Sequence, residues 1–128
     1  RVTNGAALIV SHTGFNGHCP SPRNISDETM SMITEAGGLI GVGFWADVTC
    51  GEGVDAIASA IRYGVDRFGL EHIALGSDWD GSVTTPIDAS QLPHLTQALL
   101  DGGFSEDEVK AVMGGNMARF LTQHLPPG

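Results

Sequence analysis

The chain has 128 residues, 41% hydrophobic and 16% charged, enough for one packed domain and unlike a disordered segment. Six basic against fifteen acidic residues give a formal charge of −9, which disfavours nucleic acid and anionic membrane surfaces as partners. No apolar run approaches the roughly 20 residues of a membrane span.

Arg1 to Ala6 offers no initiator Met and no signal-peptide core, so the expectation is a processed product or a piece of something longer. Residues 1–128 are read as a single segment. Ala6-Ala7-Leu8-Ile9-Val10 is a compact apolar run, read as a buried strand with His12 at its carboxyl end. Thr13 to Arg23 is loop by its Gly, Asn and Pro residues. Ser26 is a good N-cap, with Asp27 and Glu28 in the first turn of a helix whose apolar face is Met30, Ile33 and Ala36. Gly37-Gly38 stops it.

Leu39 to Phe44 is the second strand, and its glycines suggest close approach of a neighbour or a ligand. Trp45 to Gly53 reads as loop. Val54, Ile57, Ala58, Ile61, Val65 and Phe68 keep helical spacing up to Gly69. Ile73-Ala74-Leu75 is a third, unalternating apolar run that turns abruptly polar at Gly76-Ser77-Asp78-Trp79-Asp80-Gly81. Ser90 is read as the cap of a helix bearing Leu92, Leu95, Leu99 and Leu100. Ser105 and Glu108 have capping-box spacing. Gly114-Gly115 is read as a break, with Asn116 capping a last stripe of Met117, Phe120 and Leu121.

The predicted order, strand alternating with helix, is that of a parallel α/β fold with right-handed crossovers. Each strand delivers polar residues at its carboxyl end: His12, then Trp45-Ala46-Asp47, then Asp78 and Asp80. That end is where parallel α/β folds bind ligands. A three-stranded parallel sheet also leaves two edges for helices, loops or another polypeptide segment to cover.

His12 is a candidate metal ligand, since neutral imidazole suits zinc, or a hydrogen-bonded loop histidine. Asp78 is a candidate proton shuttle or ligand, or the cap of the following turn. Asp80 is a second possible ligand. A calcium loop starting at Asp78 is rejected, because its twelfth position is Ala89 where a bidentate Glu is required. Arg23 suits a bidentate grip on a carboxylate, or is a solvated surface residue. Gly41-Val42-Gly43-Phe44-Trp45-Ala46 matches a loose dinucleotide pattern, but its glycines fall inside the strand rather than opening a helix. His18, His72, His94 and His124 share no ligand spacing. Cys19 and Cys50 are too far apart for a CxxC motif and do not settle the compartment.

Five stretches occur in an order that resembles the membrane (renal) dipeptidase family, zinc metallopeptidases of the amidohydrolase superfamily. They are Leu8 to Thr13, Pro22-Arg23-Asn24 with the Asp27-Glu28 helix start, Gly37 to Ile40, Gly76 to Gly81, and Gly114 to Arg119. The most specific pieces are Ser11-His12, the Arg23-Asn24 pair eleven residues later, and Gly-Ser-Asp-x-Asp-Gly. The resemblance implies a TIM-type (β/α)8 barrel that hydrolyses dipeptides with two bridged zinc ions, of which this chain is the C-terminal portion, strands six to eight plus the terminal helices. It implies His12 as a ligand of the second zinc, Arg23 as the holder of the substrate's C-terminal carboxylate, and Asp78 as a proton shuttle touching the dipeptide. It places Cys19 and Cys50 where mammalian relatives have a disulfide. Against that stands the blander expectation, favoured here, of two reduced thiols. The family's remaining metal ligands belong to earlier strands, so the chain alone is expected to bind zinc weakly and not to turn over. The missing strands are expected in an N-terminal segment or another chain. The alternatives are a non-catalytic remnant that self-associates through open sheet edges, and an amidohydrolase acting on another amide or lactam.

Overall fold

In the computed structural model, which describes residues 6–128, the three apolar runs become one parallel sheet. The N-terminal stretch read above for a signal core, residues 1–5, lies outside the described residues. The strands β1 (Ile9–Thr13), β2 (Leu39–Val42) and β3 (Ile73–Leu75) lie in that spatial order, with Ile9 opposite Leu39 and Ile40 opposite Ile73. All four residues of β2 are buried, as a central strand covered on both faces requires. β1 departs from expectation. It begins at Ile9 rather than Ala6, and Ile9 is 38% exposed. An apolar run shows that a strand can be covered; among the described residues nothing pairs with the outer side of β1. Among the described residues β3 has no strand on its far side; there the Ile73 N–H and carbonyl are hydrogen-bonded to Leu70 and Asn116, and Leu75, Met113, Met117 and Leu121 line a groove of about 380 Å³.

Helix α1 (Asp27–Glu35) starts as its sequence predicts, with the Ser26 hydroxyl accepting the Thr29 N–H at 3.3 Å. Met30 and Ile33 face the core, whereas Ala36 is exposed. Thr34 is buried instead, its hydroxyl donating to the Met30 carbonyl at 3.1 Å. Four residues of the expected Trp45–Gly53 loop form a short helix, α2 (Ala46–Thr49). Helix α3 (Val54–Phe68) buries Ile57, Ala58, Ala60, Ile61 and Gly64. A Cβ on Gly64 would come within 2.4 Å of the Phe15 ring, so this glycine is what lets the loop after β1 pack onto the helix. Phe15, Met30, Phe44, Ile57 and Ile61 fill the core, each contributing about 1.5–3 kcal/mol by leaving water.

The tight turn Ala89–Gln91 that leads into α4 (Leu92–Asp101) is capped by Asp88, not Ser90. Asp88 and Gln91 form a reciprocal box, and Ser90 donates its N–H and hydroxyl to Asp88 at 2.9 and 2.6 Å. Helix α5 (Glu106–Lys110) carries the expected Ser105–Glu108 box, with bonds of 3.1 and 2.9 Å. The Gly114-Gly115 break is a kink rather than a stop: a wide π-type turn, Ala111–Gly115, leads straight into α6 (Asn116–His124). Asn116 does not cap. It is 1% exposed, and its amide donates to the Leu70 and Ile73 carbonyls at 2.6 and 2.7 Å.

Candidate active site

His12 lies near the end of β1 and Asp78 three residues beyond β3, so β2 stands between them. Two strand spacings are about 10 Å, yet His12 Nε2 and Asp78 Oδ1 are 3.7 Å apart. Part of the reason is missing side chains. A Cβ on Gly41 or on Gly76 would sit 2.3 or 2.1 Å from the Ser11 carbonyl oxygen. Only glycine at both places lets the Ser11-His12 backbone lie this close across the strand ends. The β1–β2 register is irregular between Val10 and Thr13, which re-aims the side chains there. The Ser11 hydroxyl lies 2.8 Å from His12 Nδ1 and helps fix the ring.

Asp78 is held in the left-handed region, φ 62°, which aspartate tolerates better than most residues. Its side chain is 12% exposed and that of His12 43%. The next residue braces this turn: Trp79 Nε1 donates to the Ile87 carbonyl at 3.0 Å, and its ring meets Phe44 edge-on. Asp80 accepts the Ser82 N–H at 2.8 Å, so its carboxylate is engaged in its own turn.

Arg23 reaches the same rim from the loop after β1. The Thr13 hydroxyl donates to the Arg23 carbonyl at 3.1 Å, and the guanidinium lies over the Trp45 ring at 5.3 Å. The Trp45 ring also faces His12, with centroids 6.0 Å apart. His12, Trp45 and Arg23 thus form a continuous row, with Asp78 beside the imidazole.

Two cross-links hold the loops that carry these residues. Cys19 and Cys50 form a disulfide, so the expectation of reduced thiols is corrected. Their separation of 31 residues hid a pairing that depends on the two loops folding over one another. The Asn24 amide donates to the Cys19 and Val48 carbonyls at 2.8 and 3.1 Å. Nothing local in the sequence marks Thr13 or Asn24 for this work, since the partners of both lie in other turns.

Among the described residues no three His, Cys, Asp or Glu side chains come together. One imidazole and one carboxylate fall short of the four-coordinate sphere of zinc, so the described residues do not by themselves amount to a metal centre. The remaining histidines serve elsewhere. His72 Nδ1 is 2.9 Å from the Gly38 carbonyl, and His18 packs against Tyr63. None of the helices is long and apolar enough to cross a membrane, among the described residues.

A family model described as membrane dipeptidase, peptidase family M19, matches residues 3–125. The chain is 35% identical over 124 residues to the dipeptidase AclJ of Aspergillus oryzae, covering 91% of this chain and 29% of that protein. Among solved structures it is similar to a metallopeptidase of Rhodobacter sphaeroides bound to a phosphinate mimic of the dipeptide L-Ala-D-Ala, with a TM-score of 0.82 and 28% identity over 91% of this chain and 36% of that one. It is also similar to a metallopeptidase described as the dipeptidase AC, with a TM-score of 0.84, 28% identity and the same coverage. The chain therefore spans between 29% and 45% of the length of the curated relatives it matches.

Proposed function

Because this chain belongs to the membrane dipeptidase family, peptidase family M19, we propose that it is the C-terminal part of a zinc dipeptidase, strands six to eight and the terminal helices of a (β/α)8 barrel. The remaining strands lie in an N-terminal segment or another chain. The observation that carries this reading is the convergence of His12, Asp78 and Arg23 on one rim from three separate loops and strand ends. The dipeptide mimic named for the Rhodobacter sphaeroides neighbour supports the substrate class.

In this reading Arg23 holds the substrate's free C-terminal carboxylate through two parallel hydrogen bonds. Its guanidinium has no ion-pair partner within 4.0 Å among the described residues, which leaves it available for a ligand. Asp78 delivers a proton to the leaving amine as the peptide bond breaks. His12 is one zinc ligand, and the others come from outside this sequence.

The test is hydrolysis of a neutral dipeptide by the complete protein. Arg23→Ala is expected to raise KM, losing about 1.5–3 kcal/mol of substrate binding, the range for a hydrogen bond to a charged group. Asp78→Asn is expected to lower kcat by about 100-fold or more. Unchanged kinetics in both variants would remove these residues from the site. The unpaired edge of β1 favours a second reading, a non-catalytic remnant that self-associates; absence of peptidase activity in the complete protein would select it.

A further inference from the structure

We infer that Trp45 is a positioning residue: its ring face holds the Arg23 guanidinium over the site mouth and so sets the preference for a substrate with a free carboxylate. This rests on the role proposed above for Arg23.

An exposed arginine ordinarily samples many rotamers, and a ligand must order it on binding. Arg23 is restrained at two points. Its backbone is tied down, its carbonyl to Thr13 and its N–H to the Ser21 hydroxyl, both at 3.1 Å. Its side chain is held by the Trp45 face, with Cζ 5.3 Å from the ring centroid.

Trp45 itself is set firmly. It is 3% exposed and packs so closely on Gly43 that a Cβ there would lie 2.3 Å from its ring. Its carbonyl accepts the Val48 N–H and the Thr49 hydroxyl at 3.1 and 3.3 Å, anchoring it at the start of α2. The α2 loop is bound to the Arg23 loop by the Cys19–Cys50 disulfide and by Asn24. Ring and guanidinium therefore sit on two loops that are cross-linked to each other.

The second observation is a defect. Trp45 Nε1 is buried and has no hydrogen-bond partner. A buried indole N–H usually finds one, and leaving it unmade is unfavourable. A ring wanted only as filler would be better as phenylalanine. What Trp offers over other apolar residues is the strongest cation-binding face, and here a cation occupies it.

Two substitutions separate face from bulk. Trp45→Phe keeps an aromatic face and removes the orphan N–H. Trp45→Leu keeps an apolar side chain and removes the face. The first readout, in the complete protein, is the ratio of kcat/KM for a dipeptide to kcat/KM for its C-terminal amide. Trp45→Leu is expected to lower this ratio about 2- to 5-fold, mainly through KM, whereas Trp45→Phe restores it. Trp45→Leu should add nothing once Arg23 is Ala. The second readout is NMR of this chain, independent of catalysis. Arg23 side-chain protons are expected upfield from the ring current in the unmutated chain and in Trp45→Phe, and near their free positions in Trp45→Leu.

Equal ratios in the Phe and Leu variants, or a Leu effect that persists without Arg23, overturn the inference. So does an unshifted Arg23 in the unmutated chain, even if the Leu variant fails to fold. If the complete protein cleaves no dipeptide, the dipeptidase reading and the carboxylate preference fall together, while the NMR result still decides whether Trp45 holds Arg23.

Discussion

Asn116 anchors α6 to the start of β3. Its amide spends both protons on the Leu70 and Ile73 carbonyls, and its own oxygen accepts from Arg119 at 3.0 Å. Arg119 donates in turn to the Glu71 carbonyl. Asn116→Ala would strip the amide from the Ile73 carbonyl, while the Leu70 carbonyl keeps the Ile73 N–H, with an expected loss of roughly 1–3 kcal/mol in urea unfolding. A loss under 1 kcal/mol would mean that water or a neighbour replaces the amide. In the sequence this residue reads as a helix cap, because asparagine after glycine is a local capping signal. Its partners lie 46 and 43 residues away, beyond anything local spacing reports. The same limit separates the site residues. His12 and Asp78 are visible as polar groups ending apolar runs, and Arg23 stands out in a chain with six basic residues. The supporting work of Thr13, Asn24 and Trp45 depends on which loops meet, and only the folded chain shows it.

At the scale of the element, the helix starts were the most legible features. The Ser105–Glu108 box is a fixed local spacing, and the structure has it. The Asp88–Gln91 box has the same spacing but overlaps Ser90, an equally good cap by type, so sequence chose the wrong residue. Helix α3 shows several turns of its period, whereas the four residues of α2 are too few to show one. Both boxes carry a pH signature. The Ser90 hydroxyl and N–H hold the Asp88 carboxyl below its ordinary range, and the Ser105 N–H does the same for Glu108. A carboxyl depressed by folding stabilises the fold fully above its unfolded pKa, and that contribution disappears as pH falls through the depressed value. The melting temperature should therefore fall on acidification below the ordinary carboxylate range, and Asp88→Asn with Glu108→Gln should flatten that acid limb. An identical acid limb in the double variant would show that other carboxylates govern it.

For the whole molecule, the parallel α/β plan was legible because unalternating apolar runs, helical periods and glycine stops alternate in order. Three strands do not make a barrel, and that step came from the resemblance, not from periodicity. The disulfide entered only through the resemblance; nothing in the spacing of the two cysteines shows it. Its loop of about 30 residues suggests roughly 3–4 kcal/mol of stability from restricting the unfolded chain. With one imidazole and one carboxylate at the rim, the chain by itself is expected to take up zinc weakly and below two equivalents in calorimetric titration. Two stoichiometric sites with peptidase turnover would contradict that.

The unpaired margins of the sheet have a consequence for colloidal behaviour. The Leu75 end of β3 in one copy can seat against β1 of the next, a head-to-tail addition that has no built-in stopping point. What opposes it is mutual repulsion between molecules each carrying −9. Dissolved ions cut the range of that repulsion to about 8 Å at physiological ionic strength. Light scattering should therefore show particle mass climbing as sodium chloride is raised, the reverse of an assembly held by surface ion pairs.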